Sequence, residues 1–191
     1  NDRNPETRVD NYKEWGRLGG WTSSSGRGWA NLSNAPFRMY KRYTHEGGVA
    51  TPLIVHWPAG LKSQGELRHA PSHIIDIAPT CLSVAGLSVK GMEGKSLLPV
   101  FVRDSKEERT LYWEHEGNRA VRKGNYKLVA MHDAPWELYD MNKDRSELND
   151  LSKKMMGKAK ELRLLYEAWA KRVGALSWNE VMVTRKKKIK K

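Results

Sequence analysis

The sequence of 191 residues predicts an α/β fold with a small antiparallel sheet packed on a C-terminal helix. A continuous apolar run at residues 49–57, followed by a helical pattern at 72–86, indicates a buried strand and a helix in one α/β layer. Short aromatic and β-branched runs separated by Gly and Asn then predict the antiparallel sheet. An amphipathic stretch at residues 146–174 predicts the C-terminal helix.

The N-terminal third of the sequence is rich in turn-forming residues. Residues 1–36 contain many Gly, Ser and Asn residues, which predicts a long loop. Residues 37–45 are predicted to form a helical turn or a short strand. The pair Gly47–Gly48 then allows a tight change of direction before the strand at 49–57.

The helix predicted at 72–86 has recognisable ends. Ser72 is placed to be its N-cap, and Gly86 is a C-terminal stop. Pro79 lies inside the pattern and predicts a kink. The same helix carries Cys81, the single cysteine, which excludes an internal disulfide and a Cys-based zinc site. We predict that Cys81 is a buried, inert thiol.

The sheet pattern occurs in three runs, at residues 109–117, 119–131 and 136–144. The Gly and Asn residues between β-type runs predict hairpin turns. In the helix at 146–174, apolar side chains recur about every three or four residues, as one buried helix face requires. The residues of that face are Leu162, Leu165, Tyr166 and Trp169.

The chain is predicted to divide into an α/β part at residues 1–100, a small C-terminal subdomain at 101–184 and a basic disordered tail at 185–191. The tail holds six positive charges, half of the net charge of +12. We predict that it is solvated, with non-specific polyanion binding as the alternative. The remaining sequence is moderately basic, which is consistent with an anionic substrate and predicts no specific nucleic-acid partner.

Composition places the chain among proteins with a packed core, because 39% of its residues are hydrophobic and 29% are charged. No stretch approaches the roughly 20 consecutive apolar residues of a membrane helix, so no membrane span is predicted. Residues 1–20 contain neither Met nor an apolar leader region. We expect the sequence to be a fragment of a longer protein.

Four sequence blocks follow one another in a fixed order: GWANLSNAPFRMYKRYTHEGGVATPLIVHWPAG, HIIDIAPTCLSVAG, GKSLLP and LYWEHEGNRAVRKGNYKLV with WELYDMNKDRSELNDL. Together they resemble the C-terminal part of an arylsulfatase, in the sulfatase branch of the alkaline-phosphatase-like superfamily. The resemblance covers about residues 16–175. It implies that residues 1–100 are the C-terminal part of an alkaline-phosphatase-like α/β/α sandwich, the catalytic domain of the family.

The resemblance implies a calcium-dependent hydrolase of sulfate esters that acts on a small molecule or a sulfated carbohydrate. In this family a Cys or Ser in a C/S-x-P-x-R motif becomes formylglycine, whose hydrate attacks the sulfur. Asp and Asn oxygens hold the divalent metal, Lys and Arg side chains hold sulfate oxygens, and a His protonates the leaving group. The resemblance also implies a periplasmic, secreted or lysosomal location.

The sequence departs from the family pattern at the nucleophile. It contains no C/S-x-P-x-R motif, and Cys81 is followed by Leu-Ser-Val. The pair Asp10–Asn11 lacks the preceding apolar strand and the following glycine of the metal-binding step, so no metal ligand is assigned. We expect the nucleophile, most calcium ligands and the leaving-group acid to lie in a missing N-terminal part. The isolated chain is therefore expected to be inactive.

One catalytic position of the family has a counterpart here. The family has a lysine five residues before the Glu of an E-G-G motif, and Lys41 precedes Glu46 by that spacing. An ammonium group is a compact donor that suits a sulfate oxygen and neutralises charge as the S–O bond breaks. The resemblance thus implies that Lys41 contacts the sulfate. The alternative is a surface lysine lying beside Tyr40 and Tyr43.

Several further residues are weaker candidates. His115 falls in a region that approaches the substrate in some family members, with a structural role as the alternative. His45 is a candidate at the border of the pocket or a residue that stabilises the turn. His73 and Asp76 are predicted to be capping or buried hydrogen-bond partners. The spacing of these groups matches no zinc or iron signature.

The sequence is also compatible with two other functions. A related phosphodiesterase or phosphonate monoester hydrolase would share the architecture and the anion-binding logic, often with Thr or Ser as nucleophile. A non-catalytic module would use its basic surface to hold an acidic polysaccharide. Loss of such binding on deletion of residues 185–191 would indicate simple tail electrostatics.

Overall fold

The computed structural model describes residues 26–62, 65–105 and 107–189, with side chains up to Arg185. The helices are α1 (Gly26–Ser33), α2 (Glu46–Val49), α3 (Ile77–Val84), α4 (Leu98–Val102), α5 (Met156–Val173) and α6 (Trp178–Ile189). The strands are β1 (Thr110–His115), β2 (Asn118–Lys123), β3 (Tyr126–Ala130) and β4 (Glu137–Asp140). A single 3-10 turn, Ile74–Asp76, precedes α3.

The four strands form one antiparallel sheet in which each strand pairs with the next along the chain. Val121, Leu128 and Leu138 lie side by side on one face. Helix α5 covers this face with Leu162 and Tyr166, and all five side chains are buried in one core. The predicted antiparallel sheet is therefore confirmed. The predicted C-terminal helix is confirmed from Met156 onward, whereas residues 146–155 of the predicted stretch are not helical.

The other face of the sheet is partly polar. Because side chains alternate along a strand, Lys127 and Val129 of β3 share this face with Glu137 and Tyr139 of β4. A small apolar cluster lies on it, formed by Ala120, Val129, Tyr139 and Met141. The segment at residues 38–46, named here the Lys41 segment, packs against this face. The sheet thus separates α5 from the Lys41 segment.

The predicted helix at 72–86 is shorter than expected. The 3-10 turn begins after His73, whose Nδ1 accepts a hydrogen bond from Ile75 N at 3.2 Å, so the cap is His73 and not Ser72. Pro79 lies in the first turn of α3, where its missing N–H breaks no helical hydrogen bond, and no kink is required. Cys81 is exposed, and the prediction of a buried thiol is wrong. Helix α3 buries only Pro79 and Thr80 among its residues.

Asp76 is a fully buried hydrogen-bond acceptor, as predicted. Its carboxylate accepts two hydrogen bonds from the Arg109 guanidinium at 2.6 and 2.9 Å. It also accepts from the backbone N–H groups of His73 at 2.7 Å and Lys95 at 2.9 Å. Burial opposes ionisation, but these donors outweigh it and lower the pKa of Asp76. The carboxylate therefore ties the start of α3 to two distant segments.

The predicted buried strand at 49–57 does not form. Residues 50–57 lie outside any helix or strand, and Leu53 and Ile54 are 54% and 89% exposed. A strand exists only where a neighbour pairs with its backbone, and no strand in the described ranges does so. The apolar pattern alone is therefore not sufficient to form the strand here.

The ends of the chain also differ from expectation. Residues 26–33 form α1 where a loop is predicted, and the remainder of that predicted loop up to residue 25 lies outside the described residues. Gly174, with a left-handed φ of 68°, ends α5. At the start of α6, Ser177 and Glu180 bond each other's backbone N–H groups. Helix α6 includes residues 185–189, so the prediction of a disordered tail is wrong for them.

The predicted division of the chain near residue 100 stays a prediction, and helix α4 spans that position. None of the helices within the described ranges is both long and apolar enough to cross a membrane.

Candidate functional site

Lys41 lies on an exposed turn of the Lys41 segment. The neighbouring rings of Tyr40 and Tyr43 pack edge to face, with centroids 5.2 Å apart. Within the described residues, the Lys41 side chain has no hydrogen-bond or ion-pair partner. None of the described residues therefore occupies its exposed ammonium group.

The N-terminal side of the Lys41 segment is fastened by Arg38. Its Nη1 donates to Glu137 Oε2 at 3.0 Å and to Tyr139 Oη at 2.8 Å. The same nitrogen lies 3.3 Å from the backbone oxygen of Glu147. These contacts hold the segment to strand β4 and to the chain beyond it.

The C-terminal side of the segment is fastened by His45, which is only 1% exposed. Its Nε2 lies 3.2 Å from Glu137 Oε2. Because an ionised carboxylate only accepts hydrogen bonds, this nitrogen carries the hydrogen. In the described structure His45 Nδ1 has no partner. His45 thus points into the protein against β4, and its predicted role at the border of a substrate pocket stays a prediction.

A buried ion cluster lies next to His45. Lys127 is fully buried, and its Nζ lies 3.0 Å from Glu46 Oε1 and 2.9 Å from Glu147 Oε1. The contact with Glu147 Oε1 is an ion pair outside hydrogen-bond geometry. Glu147 Oε2 accepts from the backbone N–H of Glu46 at 2.8 Å. Arg145 adds a second cation 3.1 Å from Glu46 Oε2.

The electrostatics of this cluster keep Glu46 ionised. Burial disfavours its charged form, but the attraction and hydrogen bond of Lys127 outweigh the burial, with help from Arg145. The pKa of Glu46 is consequently lowered. The Glu of the E-G-G motif is therefore a buried structural carboxylate that joins the Lys41 segment to β3.

The two glycines of the motif are required because a Cβ atom would not fit at either position, and not because their backbone is left-handed. A Cβ atom on Gly47 would collide with the carbonyl groups of Arg38 and Met39. One on Gly48 would collide with the carbonyl oxygens of Tyr40 and Tyr43. Gly47 N also donates to the Arg38 carbonyl at 2.8 Å. Helix α2 can therefore lie directly against the backbone of the turn that carries Lys41.

The hairpin between β1 and β2 contacts the middle of the segment. Asn118 Nδ2 donates to the carbonyl of Arg42 at 3.1 Å and to that of His115 at 2.9 Å. Arg42 Nε forms an ion pair with Glu116 Oε2 at 2.5 Å. His115 is exposed at the end of β1, so the hairpin that bears it adjoins the turn that bears Lys41. Its role toward a substrate stays a prediction.

The acidic and imidazole groups of this site do not suit a metal ion. In the part of the chain that the structure describes, no group of three or more His, Cys, Asp or Glu side chains could hold one. The carboxylate of Glu137 is instead paired with Arg38, and that of Glu46 with Lys127 and Arg145. These residues therefore do not fit a calcium site. Asp10 and Asn11 lie outside the described residues.

The free energy of unfolding of the chain should depend, at acid pH, on the ionisation of Glu137. The hydrogen bond of His45, with those of Arg38 and Tyr139, outweighs burial and lowers the pKa of Glu137 from 4.5 to about 2. Because the folded pKa is depressed, the stabilisation is present above pH 4.5 and is lost as pH falls toward 2. It should amount to at most about 3 kcal/mol. Urea unfolding between pH 2 and 6 measures it, and Glu137→Gln should flatten the acid limb; an unchanged slope would contradict the assignment.

Residues 37–171 match the family model described as N-sulphoglucosamine sulphohydrolase, C-terminal. This match covers more than two thirds of the chain. The chain belongs to the sulfatase family. The resemblance seen in the sequence is thereby confirmed.

Other sulfatases are similar over shorter or longer parts of the chain. An uncharacterized sulfatase of Schizosaccharomyces pombe is 32% identical over 186 residues, covering 86% of this chain and 33% of the relative. The N-acetylglucosamine-6-O-sulfatase of Bacteroides thetaiotaomicron is 32% identical over 145 residues, covering 66% and 26%. The N-acetylgalactosamine-6-sulfatase of Mus musculus is 36% identical over 100 residues, covering 50% and 19%. The chain thus spans a third or less of the length of these relatives.

A solved structure agrees with the family assignment. The crystal structure of Ps i-CgsB has a TM-score of 0.65 and 26% identity, covering 73% of this chain and 34% of that one. Together with the family match, it confirms the predicted fold class, the C-terminal part of an alkaline-phosphatase-like sulfatase fold with its small antiparallel sheet.

Four residues of this sulfatase site were not found from the sequence: Arg38, Lys127, Glu137 and Glu147. Their partners lie far away along the chain, with Arg38 and Glu137 separated by 99 residues and Lys127 and Glu46 by 81. One signal was present in the sequence. Lys127 interrupts the apolar run of β3, on the face opposite Leu128, which is unusual for a solvated lysine.

Proposed function

We propose that this chain forms the lysine-bearing C-terminal part of a sulfuric ester hydrolase, in which Lys41 contacts an oxygen of the sulfate. One observation carries the proposal. In a sulfatase chain, the Lys41 ammonium group is exposed and unpaired among the described residues, on a turn fastened to the sheet on both sides. A fixed charge of this kind stabilises developing negative charge without reorganisation.

The contribution of this chain is binding and orientation. The ammonium group of Lys41 would hold a non-bridging sulfate oxygen and offset the charge that develops as the ester bond breaks. The Lys41 segment supplies rigidity, since the buried contacts of Arg38, His45 and Glu46 hold its backbone to the sheet. His115, on the adjoining hairpin, is proposed as a further substrate contact.

The proposed substrate is a sulfated sugar. The names of the Bacteroides and mouse relatives specify N-acetylglucosamine-6-O-sulfate and N-acetylgalactosamine-6-sulfate esters as substrates of those proteins. A similar solved structure, with a TM-score of 0.50 and 29% identity, holds its substrate D-glucosamine-2-N,6-O-disulfate. These likenesses support a sulfated amino sugar for the protein that contains this chain.

We also propose that the activity requires calcium and a formylglycine derived from Cys or Ser. The described residues offer no ligand cage for calcium, and the 191 residues contain no C/S-x-P-x-R motif, so both would come from outside them. Action on extracellular or lysosomal glycans would place the protein in the periplasm, outside the cell or in the lysosome.

The test uses the natural protein that carries these residues together with a C/S-x-P-x-R motif. We expect release of inorganic sulfate from glucosamine-6-sulfate, loss of release with EDTA and its recovery with calcium. The 191-residue chain alone should release none, because it lacks the nucleophile motif. Faster hydrolysis of a matched phosphodiester than of the sulfate ester would favour a phosphoryl hydrolase. Release by the isolated chain would overturn the assignment of the nucleophile to other residues.

A further inference from the structure

One carboxylate oxygen, Oε2 of Glu137, contacts the residues on both sides of the turn that carries Lys41. Glu137 Oε2 accepts from Arg38 Nη1 at 3.0 Å, on the N-terminal side of Lys41. It lies 3.2 Å from His45 Nε2 on the C-terminal side. Tyr139 Oη donates to the same oxygen at 2.9 Å. A single side chain of strand β4 thus closes the turn.

The backbone of the turn needs such a closure. Met39 and Arg42, on either side of Lys41, have φ values of 67° and 94°. Residues other than glycine rarely adopt these left-handed conformations, and they persist only where surrounding contacts hold them. The contacts described above hold residues 38, 42, 45 and 46 but leave the Lys41 side chain free.

We propose that Glu137 is a positioning residue for Lys41: its carboxylate holds both sides of the turn to β4 and thereby sets where the ammonium group meets the sulfate. The inference rests on the proposed function of Lys41. The Glu137 carboxylate contacts Arg38, His45 and Tyr139, so in this proposal it acts through Lys41.

Glutamine at position 137 should loosen this closure with little change in volume. The Arg38 guanidinium faces both carboxylate oxygens, with Nη2 3.5 Å from Oε1. The glutamine amide has one oxygen that can accept a hydrogen bond. Its NH₂ group would take the place of the second carboxylate oxygen and would face a donor there. The charge that attracts Arg38 is also lost. The turn would then sample positions in which Lys41 is displaced.

A double-mutant cycle in the natural sulfatase tests the proposal. With Lys41 present, Glu137→Gln should lower kcat/KM for glucosamine-6-sulfate by about 10- to 100-fold, mainly through kcat, as a displacement near 1 Å can do. With Lys41→Ala already in place, Glu137→Gln should change kcat/KM by less than about twofold, because its effect passes through Lys41. Glu167→Gln, in an exposed ion pair on α5, is the matched control in both backgrounds.

The outcomes separate the two proposals. Equal losses from Glu137→Gln in both backgrounds would make Glu137 a general structural residue and overturn the inference alone. If Lys41→Ala itself has no effect, the proposed function of Lys41 and this inference both fail. Should Glu137→Gln not fold, Arg38→Lys in the same cycle replaces it, since it keeps the charge and loses the two-pronged contact.

A second measurement needs only the 191-residue chain. In Glu137→Gln, amide hydrogen exchange in residues 38–46 should accelerate at least about tenfold more than exchange in the core strand β3, which reports any loss of global stability. Unchanged exchange in residues 38–46 would overturn the inference whatever the activity shows.

Discussion

Replacement of Lys41 by alanine in the natural protein is expected to lower kcat/KM for glucosamine-6-sulfate by about 100- to 1,000-fold, the loss typical of one charge-stabilising donor. The ammonium group is exposed and lacks a partner in the described ranges, so its removal breaks no internal contact seen there. The free energy of unfolding should therefore change by less than about 0.5 kcal/mol. Initial rates of sulfate release and urea unfolding measure the two effects.

Two variants make this result specific. Lys62→Ala removes another exposed lysine outside the Lys41 segment and should leave kcat/KM within about twofold of the parent. Lys41→Arg keeps the charge but replaces a compact donor by a planar fork, so recovery should be partial. A Lys41→Ala enzyme with a near-normal rate would contradict the sulfate contact.

Replacement of Lys127 by methionine is expected to reduce the free energy of unfolding by about 3–5 kcal/mol. Lys127 is fully buried, and its loss leaves the carboxylates of Glu46 and Glu147 without their shared cation. Arg145 still contacts Glu46, but from the more exposed side of the cluster. Urea unfolding of the 191-residue chain, followed by tryptophan fluorescence, measures the change.

Lys143→Met is the matched control for this variant because Lys143 is exposed in the turn after β4. Its effect should stay within about 0.5 kcal/mol. Adding Glu147→Gln to Lys127→Met should recover part of the loss, since it removes one uncompensated charge. A change below about 1 kcal/mol for Lys127→Met would show that the buried cluster does not depend on its cation.

The sheet and helix α5 could be predicted because their signals are local. Alternation places Val121 and Leu128 on one face, and spacing by three or four residues places Leu162 and Tyr166 opposite them. The apolar run at 49–57 failed as a strand, since pairing requires a neighbour that no local pattern supplies. The prediction that Cys81 is buried failed for a related reason, because its burial depends on what packs against α3.

Only part of the candidate site was predictable from the sequence. Lys41 was found through the resemblance of its motif to the sulfatases, not through composition or periodicity. The contacts that hold its turn join residues about 80 to 100 apart in sequence, Arg38 with Glu137 and Glu46 with Lys127. They form only where the Lys41 segment packs on one face of the sheet. Glu46 was recognised as a motif residue, but its ion pair with Lys127 was not.

By itself, the sequence determined the family, the antiparallel sheet and the helix that covers it, and it singled out the lysine that is proposed to meet the sulfate. These follow from short-range spacing and motifs, which the chain carries in consecutive residues. Only the tertiary structure explains why Glu-Gly-Gly stands five residues after the lysine. The glutamate enters a buried ion cluster, and the two glycines leave room for neighbouring carbonyl groups. Both effects arise from close contacts within the folded chain, and the ion cluster joins segments that are distant in sequence. These contacts form, and contribute to stability, only when the chain is folded.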